Sequence, residues 1–206
     1  MTQLDRLLAT AGPLLRQVDE ILTAGGAPPD HPVWTELRRV RLLPSDAARA
    51  VAALRPEELL DAAPELRADA RAYAVLAASL PGPGEWTGAA ADAYDAARQR
   101  AAEHLSGGPE SLDERLEASA DLADALIGWM HTARDAVACA LAEVLTSTEA
   151  VTLAETKVDL ASAHKPEAAA EVATRVLRAV AESYDTGAAL LQASANLSEP
   201  LAALRR

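Results

Sequence analysis

Leu116, Ala123, Met130, Val137, Val144, Val151 and Val158 recur at seven-residue intervals without a miss. Ser119, Leu126, Ala133, Ala140, Ser147, Ala154 and Ala161 interleave with them at a constant offset. A large-and-small seam with this period marks helices that pack lengthwise. Gly128 is the sole glycine or proline between residues 111 and 164. One helix of roughly 80 Å is therefore expected there, at about 1.5 Å per residue. A bend is anticipated near Thr146, Thr148, Thr152 and Thr156, whose branched side chains lower helix propensity. His164-Lys165-Pro166-Glu167 predicts a turn, with Pro166 opening a last helix. That helix carries Val172, Val176, Ala179, Ser183, Thr186, Leu190, Ala193, Leu197 and Leu201 at the same spacing. The two long helices are expected to pack antiparallel at about 20°.

The 206-residue chain is long enough to bury a substantial core. Alanine supplies about a quarter of it, aromatic residues 3%, and phenylalanine is absent. Alanine favours helix and lets helix axes approach closely. No run alternates β-branched and polar residues as a strand does. Leu4, Leu7, Leu8, Ala11, Leu14, Leu15, Val18, Ile21 and Leu22 describe an amphipathic helix over about 2–24, with Pro13 kinking it. Shorter helices are predicted over 32–42, around Trp34, Leu37 and Val40, and from a cap at Ser45 or Asp46 through Leu54. Pro56 and the acids after it begin a helix that runs to Leu80, with a break at Pro64. Ser111-Leu112-Asp113-Glu114 offers a capping box.

Pro81-Gly82-Pro83-Gly84 stops the helix ending near Leu80, and Trp86-Thr87-Gly88 follows at once. A second helix covers about 89–106. Gly88 suits a tight turn in which a side chain would clash. Tyr94, eight residues after Trp86, is placed to face back toward the first arm, with the Trp86 ring capping the end of the hairpin. The expected fold is all-α: an elongated antiparallel helical bundle with a W-x-G helical hairpin and a long C-terminal helical hairpin. Short helices over 1–55, the hairpin over 56–107 and the long hairpin over 108–206 are the expected parts, and one continuous bundle fits equally well.

Trp86, Gly88 and Tyr94, between alanine-rich arms, resemble the WXG100 family of helical type VII secretion substrates. The resemblance covers about residues 57–106. It implies pairing with a second W-x-G-type helical protein or a second copy, and contact with a secretion ATPase through the turn element Trp86, Gly88 and Tyr94. Longer PPE- and EspB-like relatives add helices after the motif, as residues 111–204 do here. It further implies a cytoplasmic protein exported by a Sec-independent type VII route. The family's Y-x-x-x-[DE] signal is absent: Tyr73, Tyr94 and Tyr184 are followed four residues later by Ala77, Arg98 and Ala188. That leaves two readings open, an unsignalled partner in such a pair and a cytoplasmic adaptor or chaperone-like subunit unrelated to secretion.

Other chemistry finds no support in the residues. Residues 1–55 hold seven arginines and six acids, whereas 56–206 hold 12 basic and 25 acidic side chains. Such a surface repels phosphate backbones and anionic membranes, so neither nucleic acid nor a membrane is expected as a partner. Arg38, Arg39 and Arg41 read as a solvated helix face. Arginine outnumbers lysine 17 to 2, the mark of high-GC bacterial coding. Nothing resembles a signal peptide or a membrane span. His31, His104, His131 and His164 lack metal-ligand spacing, so no metal or cofactor is called for. Glu117, Asp121 and Asp124 read as a solvated face, Cys139 as a small buried hydrophobe, and Trp34 and Trp129 as packing anchors. An enzyme is not expected.

Overall fold

The computed structural model describes residues 2–154 and 161–198. These are helical: α1 (Gln3–Thr23), α2 (Val33–Val40), α3 (Pro44–Ala52), a 3-10 turn over Pro56–Leu59, α4 (Ala62–Ser79), α5 (Ala89–Leu105), α6 (Leu112–Leu145), α7 (Thr148–Ala154) and α8 (Ala161–Ser198). Among the described residues no strand occurs, so the chain is all-α. Contacts divide it into residues 1–55 with 128–206, and residues 56–127. The first boundary falls at Arg55-Pro56 and the second inside α6, at Ile127-Gly128.

The larger unit is built around α8, which touches α1, α2, α3 and α7. Leu4, Ala11, Leu15, Val18 and Leu22 of α1 are buried at spacings of seven, four, three and four residues. They meet Val172, Val176, Leu177 and Val180 of α8 and Val137, Leu141 and Val144 of α6 in one core. Each buried Leu or Val contributes about 1.5–3 kcal/mol. Two contacts tie α8 to the helices before it. Trp129 of α6 donates its indole N–H to the Ser183 carbonyl (2.7 Å), and Glu149 of α7 pairs with Arg175 (3.1 Å). Trp34 donates likewise to the Pro28 carbonyl (2.8 Å). Both tryptophans anchor packing, as expected.

Polar groups close the N-terminal end of this unit. Thr2 and Asp5 form a capping box at the start of α1. Arg134, buried in α6, donates to the Ala52 and Leu54 carbonyls and to the Thr2 hydroxyl, with Asp5 at 3.6 Å. His31 lies in the loop before α2, as expected of a turn residue, with its side chain largely covered. Its Nδ1 accepts the Val33 N–H (3.1 Å) in the first turn of α2. Arg39 pairs with Glu36 and Asp185, both at 2.7 Å.

Several boundaries differ from expectation for identifiable reasons. α3 begins with Pro44 at its first position; neither Ser45 nor Asp46 caps it, and the Ser45 N–H points to the Asp19 carboxylate. The chain breaks at Leu60-Asp61, and Pro64 sits in the first turn of α4, where its missing N–H costs nothing. The long helix is interrupted at Thr146-Ser147, and α6 and α7 are bent by 61°. The Thr146 hydroxyl bonds back to the Ala142 and Glu143 carbonyls, and the Ser147 hydroxyl accepts the Ala150 N–H that opens α7. The bend resets the helical phase, so Val151 is 63% exposed while Leu153 is buried. α8 starts before Pro166, so His164 and Lys165 are helical and not a turn. Ser119, Thr186, Ala193 and Cys139 are exposed, contrary to the seam and to the buried-thiol reading. Val158, Thr156 and Leu201 lie outside the described residues, as do the side chains of Ala161 and Leu197.

In residues 56–127 the core is small. Ala63 of α4 and Ala120 and Ala123 of α6 form it, with Ala62 and Leu66 against them. Arg67 of α4 binds Asp121 (2.7 Å), Asp124 (2.9 Å) and Glu117 (3.5 Å) on α6, so these acids are gathered by one guanidinium and are not simply solvated. No reciprocal capping box forms at Ser111. Its hydroxyl donates to the Gly108 carbonyl and to Asp113, which also accepts from Ser106 and from the Glu114 N–H.

Two measurements test this packing. A Cβ on Gly187 would stand 2.7 Å from an indole carbon of Trp129, whereas one on Gly128 meets nothing within 4 Å. Overpacking costs about 1–3 kcal/mol and alanine gains about 1 over glycine in a helix. Gly187→Ala should therefore lower stability in urea denaturation, by about 1 kcal/mol, while Gly128→Ala raises it. The hydroxyls of Ser106 and then Ser111 hold the Asp113 carboxyl below its ordinary 3.8. A folded value below the unfolded one gives stability above 3.8 that is lost as the pH falls through the folded value. In an acid titration, the stability advantage of the native chain over Asp113→Asn should vanish in that window.

Candidate protein-interaction site

The corner between α4 and α5 is built from backbone rules first. Leu80 leaves α4 in an extended conformation, and no helical bond continues through Pro81 or Pro83. Gly84 has a φ of 63°, and the Trp86 N–H bonds back to the Pro83 carbonyl (3.3 Å). Gly88 follows at φ 88°, ψ −175°, and its carbonyl accepts the Asp92 N–H (3.1 Å), the first bond of α5. A Cβ added at Gly88 meets nothing within 4 Å. Glycine is required by this positive φ, not by crowding as expected.

On that backbone Trp86, Gly88 and Tyr94 come together. The Trp86 and Tyr94 rings lie 5.9 Å apart between centroids, tilted by 58°. The Tyr94 hydroxyl donates to the Pro81 carbonyl (2.9 Å), setting the second turn of α5 against the segment that leaves α4. Such a pair contributes about 0.5–1.5 kcal/mol beyond burial. The Trp86 ring nevertheless remains 66% exposed, so it rests on Tyr94 and does not close over the corner.

The arms beside the corner are thinly covered. Among the described residues α4 buries Ala63 and Ala70, and α5 buries Ala91 alone. The outward face of α4 is itself apolar but for its last member: Ala68, Ala72, Val75, Leu76 and Ser79, at i, i+4, i+7, i+8 and i+11, are all exposed, Val75 by 69%. On α5, Ala90, Ala93, Ala97 and Ala101 form a second exposed stripe. Sequence reasoning missed the α4 stripe. Its signal was present in that spacing, yet alanine on every side of the helix hides which face is inward.

Charge is concentrated here too. Residues 56–127 hold fifteen carboxylates and five arginines, a formal charge of −10 out of −12 for the chain. Among the described residues no three His, Cys, Asp or Glu side chains gather as a metal site would require. No single described helix is long and apolar enough to cross a membrane; α6 and α7 pass by length and composition only as a bent pair.

Comparison with known proteins adds no neighbour: no protein family, curated protein or solved structure matches the chain.

The corner predicts opposite responses at two glycines. Gly82 has neither a positive φ nor a neighbour within 4 Å of a Cβ. Gly82→Ala should be neutral or stabilise by up to about 1 kcal/mol through the unfolded chain. Gly88→Ala should cost about 1–2 kcal/mol. Chemical denaturation followed by far-ultraviolet circular dichroism reads both.

Proposed function

We infer that this chain is a non-enzymatic helical protein that works by helix–helix pairing with another protein. We place it with the substrates, or the partners of substrates, of type VII secretion systems. Trp86, Gly88 and Tyr94 are the turn element of that reading, with α4 and α5 as the arms of a W-x-G hairpin. The observation that carries it is the exposed indole at a glycine-dependent corner, flanked by a helix whose outward face is apolar. An indole is costly to leave in water and is among the side chains that dominate protein interfaces. Arms that bury three alanines gain little from folding alone, and covering their outer faces with a partner helix supplies what they lack.

A cytoplasmic adaptor is the second reading, favoured by the missing Y-x-x-x-[DE] pattern after Tyr73, Tyr94 and Tyr184. Both readings need a partner; only the first needs export. In the first, an unsignalled chain leaves the cell with a partner that bears the signal.

The test is a double substitution, Trp86→Ala with Gly88→Ala, in the full chain co-expressed with the products of its neighbouring genes. Circular dichroism should show helicity nearly intact. Complex formation, followed by size-exclusion chromatography with light scattering, should weaken, and export should fall with it. Unchanged pairing and secretion would remove the functional role of the corner. Weakened pairing by a chain that is never exported would select the adaptor.

A further inference from the structure

Resting on that pairing reading, we propose that the outward face of α4 takes a basic amphipathic helix and not a second copy of this chain. The face is the stripe Ala68, Ala72, Val75, Leu76 and Ser79. Its spacing follows one side of a helix for three turns, and its small members admit a close neighbouring axis. A partner helix with an apolar stripe is the shape that covers it.

Charge decides the partner's chemistry. Asp69 borders the stripe on one side, and Glu65 stands on the same face one turn before Ala68; both are exposed. Glu57, Glu58 and Asp61 precede it and Glu85 adjoins Trp86, again exposed. Arg71 borders the other side. Two copies meeting here would each bring a unit of formal charge −10 to the contact. Like charges set against each other at an interface cost several kcal/mol and suppress that pairing. A helix with Lys or Arg beside its apolar stripe removes the repulsion and gains attraction from the same groups.

The test uses two fluorescently labelled synthetic helical peptides with one shared Leu/Ala stripe, bordered by Lys in one and by Glu in the other. Each is titrated with the full-length chain and followed by anisotropy. The Lys-bordered peptide should bind, the Glu-bordered one should bind at least roughly tenfold more weakly, and the chain alone should stay monomeric by light scattering. Raising salt from about 0.05 to about 0.5 M should weaken the Lys-bordered complex roughly tenfold. Val75→Ser with Leu76→Ser, at two exposed positions, should also weaken it about tenfold while leaving the circular dichroism spectrum unchanged.

Four results would overturn the proposal. Equal binding of both peptides removes the charge selection. Lys-peptide binding unaffected by the serine pair reduces the contact to charge alone and removes this face. A dimer of the chain that the serine pair dissociates makes the occupant a second copy, and in that case the pairing function stands while the basic partner falls. Failure to bind either peptide, with no self-association, counts against the proposal and the pairing function together.

Discussion

Residues 56–127 are held together by alanine, and an alanine side chain withdraws little more than one methyl group from water. At about 0.8 kcal/mol per buried carbon unit, the contact of Ala63 with Ala120 and Ala123 is weak beside the about 1–2 kcal/mol that ordering each backbone residue costs. The larger unit has no such shortage, because Leu15, Val18, Val137, Leu141, Val172 and Leu177 meet in one core. The same composition thus yields two outcomes according to which side chains face inward. Where branched side chains face inward, the helices close on themselves. Where alanine does, apolar surface is left over, and it lies on the outside of α4 and at the corner.

The polar devices of the smaller unit fit that picture. Arg67 draws three carboxylates from α6 to α4, and Asp113 gathers the hydroxyls of Ser106 and Ser111 at the start of α6. Such exposed contacts add little each. They fix direction more than they add stability, keeping α4 on α6 without a deep core. The Tyr94 bond to Pro81 does the same for α5. The Arg67 and Asp113 contacts are screened by salt or interrupted by acid, so the alanine contacts and the neutral Tyr94 bond become the remaining support when they fail.

Much of the fold was legible because breakers are local. Gly25-Gly26, Pro44, Pro81-Gly82 and Gly107-Gly108 delimit α1, α3, the end of α4 and α5 within about two residues of where they were expected, whereas α4 starts at Ala62 and not at Pro56. The long seam was less legible, and helical geometry says why. A straight helix drifts about 20° per heptad, or about 120° over the six heptads from Leu116 to Val158. No single straight face keeps such a seam. Along α6, Ala120 and Ala123 serve the small core, whereas Ala133, Val137, Leu141 and Val144 serve the large one. The bend at Thr146-Ser147 then turns Val151 outward. At the corner, the juxtaposition of Trp86 with Tyr94 was readable from their spacing, but the reason for Gly88 was not, because sterics and a positive φ select the same residue. Cys139 shows the limit of composition: an apolar run contains exposed positions whenever it is longer than one helix face.

An exposed Val75, Leu76 and Trp86 on one unit would ordinarily invite association with other copies. The distribution of charge bears on that hazard. Residues 56–127 carry a formal charge of −10, and the remaining residues, nearly twice as many, carry −2. Had the net charge been spread evenly, residues 56–127 would carry only about −4, and two copies meeting at the apolar stripe would repel far less. The concentration of acids beside it means that the approach of an identical unit is opposed at a distance set by the Debye length, before any apolar contact forms. The face is thereby left open for a chain of opposite sign, and the same carboxylates that keep the unit from itself select what covers it.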